Sequence, residues 1–144
     1  MSVLTQIVAA EDDESDAIGE SLRPLDEWSG VERRGIDTAK IAVMHCLLTG
    51  DDFDLAASFY EPVYVGGEGV VVLRLADEAM AKLASLDEEA LARFAAELVA
   101  TEDFELEGWP EEEVMEMLIE LADLAQLAES QGQALFVWLH PLLT

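Results

Sequence analysis

The spacing of apolar residues predicts helices most clearly in two segments. Residues 111–131 carry apolar side chains at intervals of three and four, which places them on one stripe of an α-helix: Val114, Met117, Leu118, Leu121, Leu124, Ala125 and Ala128. Gly132 follows this segment as an expected exit residue. Residues 38–49 form a second helical segment, with Asp37 as the N-cap and Gly50 as the exit residue.

Shorter helices are predicted elsewhere from local signals. An acidic first turn indicates a helix within residues 11–21 that ends at Gly19. Further helices are expected at 55–60, at 77–85 and after a cap at Asp87 or Ser85. Proline and glycine predict that 22–35 is mostly loop and that 101–110 is a connector.

Three regions predict strands. Residues 3–9 and 134–140 are rich in β-forming side chains, and residues 63–75 suit a hairpin around Gly66-Gly67-Glu68-Gly69. The continuous apolar run from Val70 to Leu73 indicates a strand covered on both faces. The order of elements predicts an α+β fold in which the first and last strands meet in a small sheet, packed by several helices. The chain shows no repeat and no long linker, so residues 1–144 are expected to form a single domain.

Charge limits the classes of partner. The chain has 32 acids and 7 bases, a net charge of −25, which opposes binding to nucleic acid or to an anionic membrane. No Lys or Arg follows Arg93, while residues 97–129 contain twelve acids. Two interpretations remain open: a surface that only keeps the protein soluble, or a face that docks a basic protein.

The expected location is the cytoplasm, with no membrane association. A single cysteine, Cys46, fits a reducing compartment. The N-terminus lacks the basic and apolar regions of a signal peptide, and no stretch of about 18 residues is free of charge.

His45 and Cys46 are adjacent in the sequence, but adjacent helical residues do not face each other, so both are predicted to have structural roles. Neither histidine has the spacing of a zinc site, and Asp51-Asp52-x-Asp54 lacks the glycine and final glutamate of a calcium loop. The glycines match no phosphate-binding motif. No catalytic residue, metal or cofactor is therefore predicted.

One ligand-binding alternative stays open. Aromatic side chains near one arginine and one histidine suit a compact anion, and this chain offers Trp28, His45, Tyr64, Arg74 and Trp138. Under this alternative the protein is a small-molecule or metal-binding domain, and a hydrolase is one form that it could take.

The stretch 37-DTAKIAVMHCLLTG-50 resembles the Asp-Lys-x-Trp-x-x-Leu-His-x-Leu-Leu-Thr-Gly signature of the uncharacterised bacterial family that includes YfbM. The matching residues are Asp37, His45, Leu47, Leu48, Thr49 and Gly50. The chain lacks the tryptophan of that signature, and its lysine is displaced to Lys40. The resemblance implies a small cytoplasmic bacterial α+β domain and no particular activity.

These observations favour a non-enzymatic protein-binding or regulatory module, of the immunity or toxin-neutralising type, with a basic protein as partner. The expected assembly is a monomer or a homodimer, since high net charge opposes self-association unless the interface is apolar.

Overall fold

A five-stranded antiparallel sheet forms the centre of the computed structural model, which describes residues 3–21 and 23–141. The strands are β1 (Leu4–Ala10), β2 (Gly30–Arg34), β3 (Tyr64–Val65), β4 (Val71–Arg74) and β5 (Ala134–His140), in the order β2-β1-β5-β4-β3. β1 and β5 pair along their full lengths, from Leu4 opposite His140 to Ala10 opposite Ala134. The predicted α+β class is confirmed. The first and last strands are adjacent, and the β3–β4 hairpin pairs with the last strand.

Helices occupy most of the remaining described residues. They are α1 (Ser15–Glu20), α2 (Thr38–Thr49), α3 (Phe53–Ser58), α4 (Asp77–Ser85), α5 (Glu88–Val99), α6 (Glu102–Glu105) and α7 (Glu111–Gln131). The Asp37 side chain accepts a hydrogen bond from the Lys40 N–H at 3.0 Å and so caps α2. Gly50 and Gly132 end α2 and α7 with φ of 82° and 68°, a conformation that favours glycine.

Segment 22–35 was predicted to be mostly loop with no strand, and this was wrong for its second half, which forms β2. Five residue pairs join β2 to β1, from Val8 opposite Gly30 to Leu4 opposite Arg34. Only Val31 of this strand is buried, because β2 lies at the edge of the sheet. The connector at 101–110 likewise contains the short helix α6.

The prediction that Gly19 ends the first helix was also wrong. α1 continues through Glu20, and Gly19 is buried within it, against the ring of Tyr64. Glycine is present here because the aromatic ring leaves no room for a side chain.

The two faces of the sheet carry separate apolar clusters. The larger cluster lies between the sheet and helices α2, α4, α5 and α7. The smaller cluster lies on the opposite face, where Ile18 of α1 covers residues such as Val8, Phe136 and Trp138. Val72 and Leu73 are both fully buried in different clusters, which confirms the prediction that their strand is covered on both faces.

Candidate functional site

The five residues predicted to bind a ligand do not meet in one place. Trp138 belongs to the smaller cluster, and Trp28 and Tyr64 pack against it. His45 is buried in α2, which packs on the opposite face of the sheet. The sheet therefore separates His45 from the aromatic residues with which it was grouped.

Arg74 also lies apart from His45. Its guanidinium is bound by two carboxylates. Its Nε donates to Asp12 Oδ1 at 2.8 Å, and its Nη2 donates to Asp77 Oδ1 at 2.9 Å. Partial burial lowers the pKa of the guanidinium, but the two carboxylates outweigh burial and raise the pKa overall. Arg74 thus joins β4 to the segment after β1 and to the start of α4.

The two tryptophans of the smaller cluster differ in their hydrogen bonding. Trp28 Nε1 donates to Glu14 Oε2 at 3.2 Å, which ties the turn before β2 to the start of α1. Trp138 is fully buried, and its Nε1 has no hydrogen-bond acceptor among residues 3–21 and 23–141. A buried N–H without an acceptor costs free energy, so it marks a position worth testing for a ligand.

His45 is the centre of a buried hydrogen-bond network. Its Nε2 lies 2.8 Å from Asp51 Oδ2, and its Nδ1 lies 2.9 Å from the hydroxyl of Tyr60. The Tyr60 hydroxyl also accepts from the Ala76 N–H at 3.4 Å, and the ring of Phe59 lies 5.3 Å from the imidazole. The network therefore ties the C-terminal turn of α2 to α3 and to the start of α4.

The partners of His45 assign its neutral tautomer. A carboxylate only accepts, so Nε2 carries the proton that is donated to Asp51, and Nδ1 accepts from Tyr60. The hydrogen bond from His45 lowers the pKa of Asp51. Burial raises the pKa of Tyr60 to about 12, so its hydroxyl stays protonated at neutral pH.

Cys46 shares no hydrogen bond with His45, since both imidazole nitrogens are already engaged. Burial raises the pKa of its thiol, and the charges of Asp51 and Asp52 raise it further. A thiol whose pKa is raised is a poor nucleophile at neutral pH, because the thiolate is the reactive form. The structural role of the His45-Cys46 pair stays a prediction.

Two acids of the Asp51-Asp52-x-Asp54 motif have contacts that serve the local fold. Asp51 accepts from His45, and Asp52 caps α3 by accepting from the Leu55 N–H at 2.8 Å. No group of three or more potential metal ligands is clustered within the described part of the chain.

Lys40 is a buried cation that the sequence pattern did not single out. Its ammonium forms ion pairs with Glu107 and, at 3.7 Å, with Asp37, while its side chain is only 1% exposed. The ring of Phe104 lies 5.8 Å from the ammonium. These contacts fix the start of α2 against α6 and the loop that follows it.

The twelve acids of residues 97–129 lie on or near the surface. Two of them form ion pairs in the described structure, Glu107 with Lys40 and Glu120 with Arg33. The remaining ten have no ion pair to a base within residues 3–21 and 23–141. Helices α5, α6 and α7 therefore present a field of carboxylates to solvent.

A groove lies between α5 and α7 within this acidic field. Its volume is about 270 Å³, and it is lined by Ala92, Ala95, Glu111, Glu112, Met115, Glu116 and Ile119. Ile119 is 41% exposed. The predicted site did not include this groove, although Ile119 gives a signal for it: the residue is apolar but falls outside the buried stripe of α7.

No family model, curated protein or solved structure matches this chain. None of the helices in the described residues is long and apolar enough to cross a membrane.

Proposed function

We propose that this protein is a non-enzymatic acidic module that binds a basic protein partner. The observation that carries the proposal is the group of exposed carboxylates in residues 97–129, where ten of the twelve acids have no ion pair with a base in the described structure. Exposed carboxylates that are close to each other repel, and a cationic partner relieves that repulsion. Such a field also steers oppositely charged proteins toward the surface before they dock.

The buried polar groups support a non-enzymatic role. Both nitrogens of His45 are engaged by neighbouring side chains, and the thiol of Cys46 has a raised pKa. His45 and Cys46 are the residues of the sequence that most resemble a catalytic pair. The contacts of each are explained by the local structure. The resemblance of residues 37–50 to the YfbM family adds no activity to this proposal.

The first experiment measures association with a fluorescent oligolysine at about 20 mM and about 300 mM salt. One variant neutralises three acids on the solvent face of α7, by Glu112→Gln, Glu116→Gln and Asp123→Asn. A control variant neutralises three exposed acids near the N-terminus, by Asp13→Asn, Asp16→Asn and Glu20→Gln. Both variants have the same net charge, so they differ only in where the charge is lost.

We expect the α7 variant to associate more slowly than the control variant by about tenfold at low salt, and the difference to shrink at high salt. Equal association rates for the two variants would show that the location of the acids is unimportant, and the proposal would then be wrong. Absence of binding at low salt would contradict it equally.

Small-molecule binding is a second candidate, favoured by the unsatisfied Nε1 of Trp138 beside Trp28 and Tyr64. A ligand with a hydrogen-bond acceptor would satisfy this N–H. A thermal-shift screen of metabolites tests this candidate, with Trp138→Phe as the control. A hit that stabilises the wild type but not the variant supports it, and a hit that stabilises both equally contradicts it.

A further inference from the structure

The groove between α5 and α7 differs from the surrounding surface because part of its lining is apolar. We propose that this groove, defined by the seven lining residues given above, docks an amphipathic basic helix of the partner. This inference rests on the proposed function and adds to it the partner's secondary structure and the place where it binds.

The lining of the groove suits apolar side-chain anchors. The groove measures about 270 Å³. Its apolar lining consists of Ala92 and Ala95 from α5 and of Met115 and Ile119 from α7. The two alanines leave space between the helices, and the two larger residues provide an apolar wall. One or two apolar side chains of a partner fit such a lining.

The charge at the groove selects a cationic partner. Glu111, Glu112 and Glu116 line the groove, and none of the lysines and arginines that the structure describes does. A second copy of this chain is disfavoured as the occupant, because each copy carries a net charge of −25. A second concavity, which Leu47 and Phe94 help to line, contains Lys82 and Arg93, so it lacks this preference for cations.

The spacing along α7 matches a partner that is itself helical. Glu112 and Glu116 are four residues apart, as are Met115 and Ile119, so each pair is separated by about 6 Å along the helix axis. A partner helix has the same rise per residue. Apolar anchors at its positions i and i+4, flanked by Lys or Arg, therefore meet the apolar wall and the carboxylates in register.

The test uses two labelled peptides of about 18 residues, or five helical turns, made from the same number of Leu and Lys residues. One peptide places the leucines on a single helical face, and the other scrambles them. Fluorescence anisotropy measures the affinity of the full-length protein for each peptide at fixed salt. We expect the amphipathic peptide to bind at least about tenfold more tightly than the scrambled one.

Two variants of α7 locate the binding site. Ile119→Ser removes part of the groove wall, and Leu127→Ser removes an apolar residue of similar exposure outside it, at 36% against 41%. We expect Ile119→Ser to weaken binding of the amphipathic peptide about tenfold and Leu127→Ser to change it less than twofold. Thermal melting checks that both variants remain folded, and Met115→Ala replaces Ile119→Ser if the latter unfolds.

The outcomes separate this inference from the proposed function. If both peptides bind equally in a salt-dependent manner and Ile119→Ser has no effect, the groove inference is overturned while the acidic binding function stands. If neither peptide binds at low salt, both fall. Equal weakening by Ile119→Ser and Leu127→Ser overturns the groove as the docking position.

Discussion

Replacement of Gly19 by alanine sets two opposite effects against each other inside α1. A Cβ added at Gly19 would lie 2.0 Å from Tyr64 Cδ1, 2.2 Å from Cε1 and 2.6 Å from Cγ. Non-bonded carbon atoms prefer about 3.5–4.0 Å, so the ring would have to move by about 1.5 Å. The contacts fall on the body of the ring rather than on its tip, and Tyr64 is held in β3 opposite Val72.

The magnitudes decide the sign of the effect. Alanine is favoured over glycine in a helix by about 1 kcal/mol, whereas overpacking a filled site costs about 1–3 kcal/mol and occasionally more. The overlap is severe, so the upper part of that range applies. We expect Gly19→Ala to lower the free energy of unfolding by about 1–2 kcal/mol.

A double-mutant cycle with Tyr64→Ala tests this explanation. Urea denaturation gives the free energy of unfolding for the wild type, each single variant and the double variant. Without the ring the overlap disappears, so Gly19→Ala should stabilise the Tyr64→Ala protein by about 0.5–1 kcal/mol. If Gly19→Ala stabilises both backgrounds equally, or destabilises both equally, the ring is not the cause and the reasoning is refuted.

Two further predictions concern the buried polar groups. The pKa of Tyr60 is about 12 in the folded protein and about 10 when unfolded, so the unfolded form ionises first and stability falls as pH rises between these values, by roughly 3 kcal/mol in total. Tyr60→Phe should lack this loss of stability. Urea denaturation from pH 8 to about 11.5 should show the stability of the wild type approaching that of the variant as pH rises. Parallel stability curves for the two proteins would contradict the raised pKa of Tyr60. Glu107→Gln removes the closest carboxylate from the buried ammonium of Lys40 and should destabilise the protein by about 1–3 kcal/mol, since Asp37 still remains. Glu105→Gln, at an exposed acid with no ion pair in the described structure, should cost less than about 0.5 kcal/mol, and similar melting temperatures for both variants would refute the role of the buried pair.

Periodicity predicted the long elements because their burial is one-sided or complete. α7 has a continuous apolar stripe between clear end signals, and its observed bounds equal the predicted 111–131. β5 is buried at every position, so its unbroken apolar run was a sufficient signal. Both elements are stabilised by contacts in the hydrophobic core, and the positions of apolar residues in the sequence indicate such contacts.

β2 was missed because its stability comes from a neighbour in space. Its residues Glu32, Arg33 and Arg34 are polar, and glycines bound the segment, which is typical of a loop. The strand forms because β1, more than twenty residues earlier, pairs with it through the backbone. Charged residues also protect an edge strand from pairing with other chains. The residues that made β2 resemble a loop in the sequence therefore also oppose its aggregation.

The candidate sites show a similar division. Helix geometry predicted that His45 and Cys46 do not face each other. It could not predict the partners of His45, because Asp51 and Tyr60 are six and fifteen residues away and meet it only through the turn at Gly50 and the path of α3. The α5–α7 groove requires the packing of two helices, which no single stretch of sequence shows. The excess of acids, by contrast, could be predicted from the sequence alone, because it depends on the number of charged residues and not on their contacts.

The pairing of β1 with β5 has a consequence for synthesis of the protein. The central ladder of the sheet joins Leu4 to His140, so the ribosome must produce nearly all of the intervening chain before this ladder can close. Contacts between such distant segments carry a large loop-closure entropy and slow folding. A nascent chain that stops before Ala134 would expose the hydrogen-bonding edges of both β1 and β4, and unpaired strand edges of this kind promote aggregation.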